Sequence, residues 1–225
     1  MTLPEILLID KPAGITSFDV IRKLRQKTGI KKFGHAGTLD PMATGLMIIG
    51  VEGGTKKLTE LIKLDKEYEA QIRIGEQRST GDLDGDVINS VAPVILDEEE
   101  IKHAVHELIG TQTLPVSAYS AIKKDGKPMY ERAREAAKIG DLVKDVPFRD
   151  MVVHDAQFQG IDEIELPEGH RVIIKVHFAV GSGTYIRSLA EELGRRLGYP
   201  ATLQSLRRTR IGNFSIANAR QLSDF

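Results

Sequence analysis

Gly34-His35-Ala36-Gly37-Thr38-Leu39-Asp40-Pro41-Met42-Ala43-Thr44-Gly45 puts three glycines, one histidine and one aspartate into twelve residues. A basic segment precedes it and the apolar run Leu46 to Val51 follows. Glycine reaches backbone shapes that other residues avoid, and Pro41 biases Asp40 away from helical geometry. The expected product is a fixed loop that holds one carboxylate outward. The same residues also suit a surface turn that merely needs small side chains, so the rest of the chain must decide between the two.

Outward from the loop, Ile6 to Asp10 reads as a short buried strand. Thr16 or Ser17 is placed to cap a helix running to about Lys27, with Gly29 ending it. Leu46 to Val51 predicts a second apolar strand, followed by a short helix through Leu58 and Leu61. Residues 68 to 74 alternate, with Tyr68, Ala70, Ile72 and Ile74 on one face, the pattern of a half-buried strand. Asp97 predicts a helix start with Glu100 in capping-box position and an end near Ile109. Residues 113 to 128 show no period and read as a long loop, before a helix from Met129 to about Ala137. Val152 to Phe158 and Val172 to Val180 predict strands, and Thr184 to Leu197 an amphipathic helix closed by Gly198. Strands and helices intersperse without regular βα alternation. The expected class is α+β, with a mostly antiparallel central sheet flanked by helices and loops, in a single domain spanning 1–225.

Composition narrows the chemistry. The chain has 225 residues, 41% hydrophobic and 28% charged, which is ordinary for a globular protein. It has no cysteine, so disulfides and thiolate metal sites are excluded. Met1 to Lys11 has neither the basic nor the long apolar region of a secretory signal, and no apolar run approaches membrane-spanning length. The expected location is the cytoplasm, away from membranes. The net charge is −1, yet Val20 to Leu39 holds six basic residues and no acid, and Leu193 to Ser223 repeats that. Acids collect instead at Asp82, Asp84 and Asp86, at Asp97 to Glu100, and at Asp162 to Glu168. Such segregation, with Lys123, Lys124 and Lys127 added, suits a polyanionic partner; basic residues on solvated helix faces are the plainer alternative.

No phosphate-loop motif is present, and Gly181-Ser182-Gly183 lacks the third glycine of a dinucleotide fingerprint. His103 and His106 lack companions at metal-ligand spacing and read as exposed helix histidines. No serine-hydrolase elbow occurs. An enzyme here is therefore expected to use ordinary side chains, with no metal or organic cofactor. In Gly183-Thr184-Tyr185-Ile186-Arg187-Ser188-Leu189 a strand runs through a turn into a helix, which puts Tyr185 and Arg187 at the junction. An arginine there could pair with a carboxylate such as Asp40 and keep it ionised, and an ionised aspartate in a desolvated pocket can act as a nucleophile. A purely structural ion pair is the other reading.

The loop from His35 to Gly45 resembles the signature of the bacterial TruB family, the tRNA pseudouridine-55 synthases. Leu8-Ile9-Asp10-Lys11-Pro12-Ala13-Gly14-Ile15-Thr16-Ser17, Lys66-Glu67-Tyr68, Gly183 to Leu189, and Leu206-Arg207-Arg208-Thr209-Arg210-Ile211-Gly212-Asn213-Phe214 resemble its further motifs, in order. The resemblance implies the pseudouridine synthase fold and a cofactor-free isomerase of tRNA. In that reaction the N-glycosidic bond of uridine breaks, the base rotates, and a C–C bond forms at C5. It implies Asp40 as catalytic aspartate, Arg187 as the arginine that pairs with it, and Asp82 as a second acid nearby. Tyr68 is implied as the aromatic that stacks on the flipped base and moves a proton. His35 is implied as the filler of the gap left by that base, Tyr185 and Leu206 as pocket residues, and Lys11 as a structural or RNA-contacting lysine. Extrusion of a base costs a few kcal/mol, and aromatic stacking returns roughly 1–3 kcal/mol.

The sequence also departs from the family. Arg78-Ser79-Thr80 replaces the usual Thr-Asp-Thr run before the second acid, and Ser117 and its neighbours replace a Pro-Pro pair before Tyr119-Ser120-Ala121. Residues 113–147 resemble the insertion that grips the RNA arm. With the chain stopping at Phe225, a C-terminal RNA-binding PUA domain is not expected. The expectation is a monomeric enzyme that makes pseudouridine in the tRNA T loop, with no protein partner required. The alternatives are a synthase acting on another RNA or several, a guide-RNA-dependent relative, and a non-catalytic RNA-binding or RNA-folding protein. An anion-binding module is a further rival from a different class.

Overall fold

The computed structural model describes residues 3–141, 143, 145–167 and 169–225. Met1 and Thr2 of the N-terminal reading, Leu142 and Lys144 of the insertion, and Glu168 of the third acidic group lie outside the described residues. In chain order the first elements are β1 (Ile6–Lys11), α1 (Ser17–Thr28), β2 (Phe33–His35), β3 (Thr44–Val51), α2 (Leu58–Leu61) and β4 (Lys66–Ile74). Then come β5 (Glu76–Arg78), β6 (Val87–Ser90), α3 (Glu98–His106), β7 (Gly110–Pro115), β8 (Lys123–Lys124), β9 (Lys127–Pro128) and α4 (Met129–Lys138). The last are β10 (Phe148–Leu166), β11 (Gly169–Val180), α5 (Ile186–Leu197), β12 (Ala201–Ile211) and β13 (Phe214–Ser215). Two compact units divide them: Met1–Glu69, Phe178–Gly183 and Ser205–Phe225 form the first, Ala70–His177 and Thr184–Gln204 the second.

In the first unit β3 is the organising strand. It is buried along almost its whole length, so its sequence is a continuous apolar run rather than an alternation. β1 lies antiparallel to it from Ile6↔Gly50 to Lys11↔Gly45, and β2 is also antiparallel, with His35 opposite Ile49. β12 joins parallel, with Arg207 opposite Thr44 and Arg208 opposite Gly45. Ala36, Leu46, Ile48 and Ile211 form a buried cluster, against which Leu58, Leu61 and Phe214 pack. Each fully buried Leu or Ile there contributes about 1.5–3 kcal/mol. Helix α1 starts as predicted: Thr16 Oγ1 accepts from the Asp19 N–H, and the Asp19 carboxylate accepts from the Thr16 N–H. Val20, Ile21 and Leu24 are its buried stripe, and Gly29 ends it in the left-handed region at φ 73°.

In the second unit β7 and β10 pair antiparallel from Phe148↔Pro115 to Val153↔Gly110. Helix α5 buries Ile186, Leu189, Ala190 and Leu193, a spacing of three, one and three that keeps one face inward. The pairs are thus mostly antiparallel, with the β3–β12 pair parallel, in an α+β fold. Among the described residues no helix is long and apolar enough to cross a membrane.

Three expectations need correction. Residues 113–128 are not one loop: β7 runs through Pro115, and Lys123 to Pro128 form a small hairpin. Asp125 and Gly126 take φ 53° and 79° in its turn, which is the Asp-Gly hairpin signal that the sequence carried. Helix α3 ends at His106, and its cap bond runs from the Glu99 N–H to Asp97 Oδ1 at 2.8 Å rather than through a Glu100 capping box. Helix α5 begins at Ile186, because Tyr185 is still extended at its N-cap.

Candidate active site

The loop between β2 and β3 is fixed by its own backbone polar groups. Pro41 begins a turn in which the Ala43 N–H donates to the Asp40 carbonyl at 3.1 Å. Ser17 Oγ accepts from the Leu39 N–H at 2.8 Å and donates to the Leu39 carbonyl at 3.0 Å, pinning the loop to the start of α1. The Gly14 N–H donates to the Pro41 carbonyl at 2.9 Å. Lys11, fully buried on β1, donates from Nζ to the carbonyls of Pro12 at 2.9 Å, Pro41 at 3.1 Å and Ala43 at 2.6 Å. Ala36, Leu39 and Ala43 point inward while Asp40 stays half-buried. The result is a turn whose backbone is held from α1 and β1, with Asp40 half-buried in it.

The electrostatics around this loop are cationic. Burial brings Lys11 down to about 8, with Asp40 pulling it back up and Arg208 pushing it further down. His35 is lowered by burial and then by Arg208, so its imidazole is neutral at pH 7. Arg208 itself is 1% exposed and donates from Nε to the Leu46 carbonyl at 2.7 Å and from Nη2 to the Gly37 carbonyl at 3.2 Å. Gly45 makes room for it: at φ +107°, a Cβ there would lie 2.3 Å from the Arg208 carbonyl oxygen. Tyr68 and Leu206 are both buried in this unit, each 7% exposed. Lys66, two residues before Tyr68 on the same face of β4, donates to the Ile62 carbonyl at 2.7 Å and to Ser182 Oγ at 3.2 Å, and burial brings it to about 8 as well.

In the second unit Arg187 and Asp82 are brought together. Arg187 Nη1 lies 3.7 Å from Asp82 Oδ2 and donates to the Thr80 carbonyl at 2.8 Å, while Nη2 donates to the Tyr119 carbonyl at 3.2 Å. Both side chains are buried. Thr80 Oγ1 donates to Asp82 Oδ1 at 2.5 Å, so the altered Arg78-Ser79-Thr80 run still orients the acid. Arg78 instead holds the carbonyls of Leu83 and Gly85. Tyr185 is half-buried and donates its N–H to Met151 Sδ at 3.5 Å. Arg187 and Tyr119 line a cavity of about 430 Å³ with Ser188 and Glu191. Burial raises the Glu191 carboxyl, against the opposing pull of Gln77 and Arg187.

Lys11, His35, Asp40, Tyr68 and Leu206 thus belong to the first unit, and Asp82, Tyr185 and Arg187 to the second. Sequence reasoning missed Arg208 and Lys66 as interior residues, and Thr80 as the partner of Asp82. Arg208 was counted in a basic segment expected to face a polyanion. Other arginines of that segment are ion-paired, Arg207 with Asp10 at 2.8 Å, Arg210 with Glu67 at 3.2 Å and Arg195 with Glu192 at 2.7 Å, although Arg195 and Arg210 stay exposed. The segment beginning at Val20 keeps Lys23, Lys31 and Lys32 exposed. Among the described residues no group of three or more His, Cys, Asp or Glu is placed to hold a metal ion.

Comparison with known proteins places the chain in a family. A family profile described as TruB family pseudouridylate synthase (N terminal domain) matches residues 25–186. A protein of Corynebacterium efficiens named tRNA pseudouridine synthase B is 43% identical over 219 residues, covering 97% of this chain and 71% of that protein. The protein of the same name from Thermobifida fusca is 37% identical, covering 97% and 73%. Among solved structures, a chain of a Cbf5-Nop10-Gar1 complex superposes with a TM-score of 0.69 at 26% identity. That superposition covers 97% of this chain, which spans about half, 52%, of the other. The fold is that of the pseudouridine synthases, and the chain belongs to the TruB family of pseudouridylate synthases.

Proposed function

We propose that the chain isomerises uridine to pseudouridine in tRNA, at position 55 of the T loop, with Asp40 as its catalytic carboxylate. The observation that carries this reading is the Asp40 turn, whose backbone is held by Lys11, Ser17 and Gly14 while the carboxylate remains half-exposed. A reaction that breaks one C1′ bond and makes another needs its carboxylate held at a fixed distance from the sugar and base, and a pre-organised turn supplies that. The bond from N1 to C1′ breaks, the bond from C5 to C1′ forms, and the proton of C5 is exchanged for one on N1. No atom is gained or lost, so ordinary side chains suffice.

Tyr68 is assigned to stacking on the flipped base and to proton movement, and Arg187 to keeping the catalytic carboxylate ionised. His35 is assigned to the gap in the RNA; a neutral imidazole stacks there without the desolvation cost of a cation. Tyr185 and Leu206 are assigned to the pocket, Lys11 to the loop, and Asp82 to Arg187, with which it already pairs. The hairpin and helix between Lys123 and Lys138 carry Lys123, Lys124, Lys127, Arg132 and Arg134, which supports the reading of 113–147 as an RNA-gripping insertion within one catalytic domain. The T arm is the proposed substrate of a monomeric enzyme that works in the cytoplasm without a protein partner. An unmodified T-arm hairpin incubated with the protein and mapped for pseudouridine tests this. Product at the T-loop uridine is expected; firm binding without product would overturn it.

A further inference from the structure

Two buried cations hold the backbone on either side of Asp40. Before it, Arg208 reaches from β12 to the Gly37 carbonyl at 3.2 Å and to the Leu46 carbonyl at 2.7 Å. After it, Lys11 reaches from β1 to the carbonyls of Pro41 and Ala43. Both Arg208 bonds end on backbone carbonyls, in a site where the side chain is 1% exposed. Burying a guanidinium carries a large desolvation cost, and an apolar residue of similar volume would avoid it. What the guanidinium does that an apolar residue cannot is tie Gly37, three residues before Asp40, to Leu46 near the start of β3. The close approach that allows it is built into Gly45, which lies opposite Arg208 in the parallel pair.

We propose that Arg208 is a positioning residue for the isomerisation: its forked guanidinium fixes the leading end of the Asp40 loop as Lys11 fixes the trailing end. The proposal rests on the reading of Asp40 as the catalytic carboxylate. Arg208 acts in two ways, through the Gly37 backbone and through its charge. Its field falls on Lys11, which faces Asp40 from the loop and Arg208 from β12, and on His35. As pH rises through about 8, Lys11 loses its proton. Its nitrogen then has two hydrogens for the three carbonyls it now holds, and the loop slackens. Turnover should therefore fall on an alkaline limb near that pH. Removing the Arg208 charge relieves the repulsion on Lys11 and moves the limb to higher pH.

The test uses the full chain and a T-arm hairpin, with R208K, R208Q and D40N compared with the unaltered protein by single-turnover rate, RNA affinity, and the pH profile of both. R208K retains a cation and loses the fork. Its rate should fall about 10- to 100-fold, the scale set by misplacing a reacting group by about 1 Å, with RNA Kd within about threefold. R208Q should show that fall and an alkaline limb displaced upward. Hydrogen exchange at the Leu39 and Ala43 amides should be faster in R208K, while its melting transition stays cooperative. A folded R208K with an unaltered rate overturns the proposal. So does a loss of rate matched by an equal loss of RNA binding, and so does failure of both Arg208 variants to fold, which would mark the residue as purely structural. D40N retaining turnover would instead sink the reading of Asp40, leaving the two failures distinct.

Discussion

Gly45→Ala should be among the most damaging single-methyl changes available in this chain. Gly45 sits at φ +107°, and a Cβ on it would lie 2.3 Å from the Arg208 carbonyl oxygen and 2.7 Å from the Arg208 nitrogen. A Cβ ordinarily keeps 3.4–4 Å from its neighbours, and both obstacles are backbone atoms of a paired strand. The strand must therefore move by about 1 Å or more. The left-handed backbone adds roughly 1–2 kcal/mol for any L side chain, and overpacking adds about 1–3 kcal/mol. The sum, about 2–5 kcal/mol, is a large share of the 5–15 kcal/mol that holds a typical domain together. Gly14→Ala supplies the control, since Gly14 has φ +81° but nothing within 4 Å of an added Cβ. It should cost only the backbone part. Urea unfolding followed by far-ultraviolet circular dichroism measures both, and single-turnover rates show whether displacing β12 also disturbs the Asp40 loop. If Gly45→Ala is no more destabilising than Gly14→Ala, the close β3–β12 approach is wrong, and with it the account of how Arg208 reaches Gly37.

Lys66 has a folded pKa of about 8, below its ordinary 10.5, so between those pH values the unfolded chain binds a proton that the folded chain has released. Stability from this site should therefore rise with pH across that window, by on the order of 2 kcal/mol relative to Lys66→Met; a difference that stays flat from pH 7 to 10 would refute the buried ammonium. Asp82→Asn removes a buried charge beside Arg187 while keeping the shape, and should lower stability by about 1–3 kcal/mol and the single-turnover rate more than tenfold. Unchanged values for both would show the pair to be incidental. Replacing the exposed Lys31 and Lys32 together by glutamine should weaken RNA binding and reduce the salt slope by up to about 2, at roughly one counterion per lost phosphate contact; an unaltered slope would remove that segment from the RNA face.

Much of the fold was legible because local chemistry and tertiary packing agree. Thr16, Asp19 and Gly29 bracket α1 through caps that depend on neighbouring residues alone. The alternation from Tyr68 to Ile74 survives because one face of β4 is buried. The turn at Asp40 was readable because Pro41 and the positive-φ Gly37 and Gly45 mark it locally, whereas the Arg208 bond that helps hold it comes from a distant strand. What the sequence concealed depends on distant partners. β12 contains Arg207, Arg208 and Arg210, part of a basic segment that suits a polyanionic partner, yet Arg208 is interior because carbonyls from another strand and loop receive its donors. Lys66 is held by the Ile62 carbonyl of the turn before it and by the distant Ser182 hydroxyl. β7 carries Gly, Thr and Gln, and only its pairing with β10 makes it a strand. The role of Thr80 could not be seen in a run that departs from the family pattern, although a threonine two residues before an aspartate is a recognisable local partner.

The central claim is that the fixed turn exists to present Asp40 to a uridine. Asp40→Asn alters one oxygen to nitrogen and leaves the turn's backbone bonds in place. Single-turnover conversion of an unmodified T-arm hairpin, read by pseudouridine mapping alongside RNA affinity, therefore tests the claim most directly. The unaltered protein should convert the T-loop uridine, while the variant should bind within about threefold and yield no product. Conversion by Asp40→Asn at the rate of the unaltered protein would contradict the account.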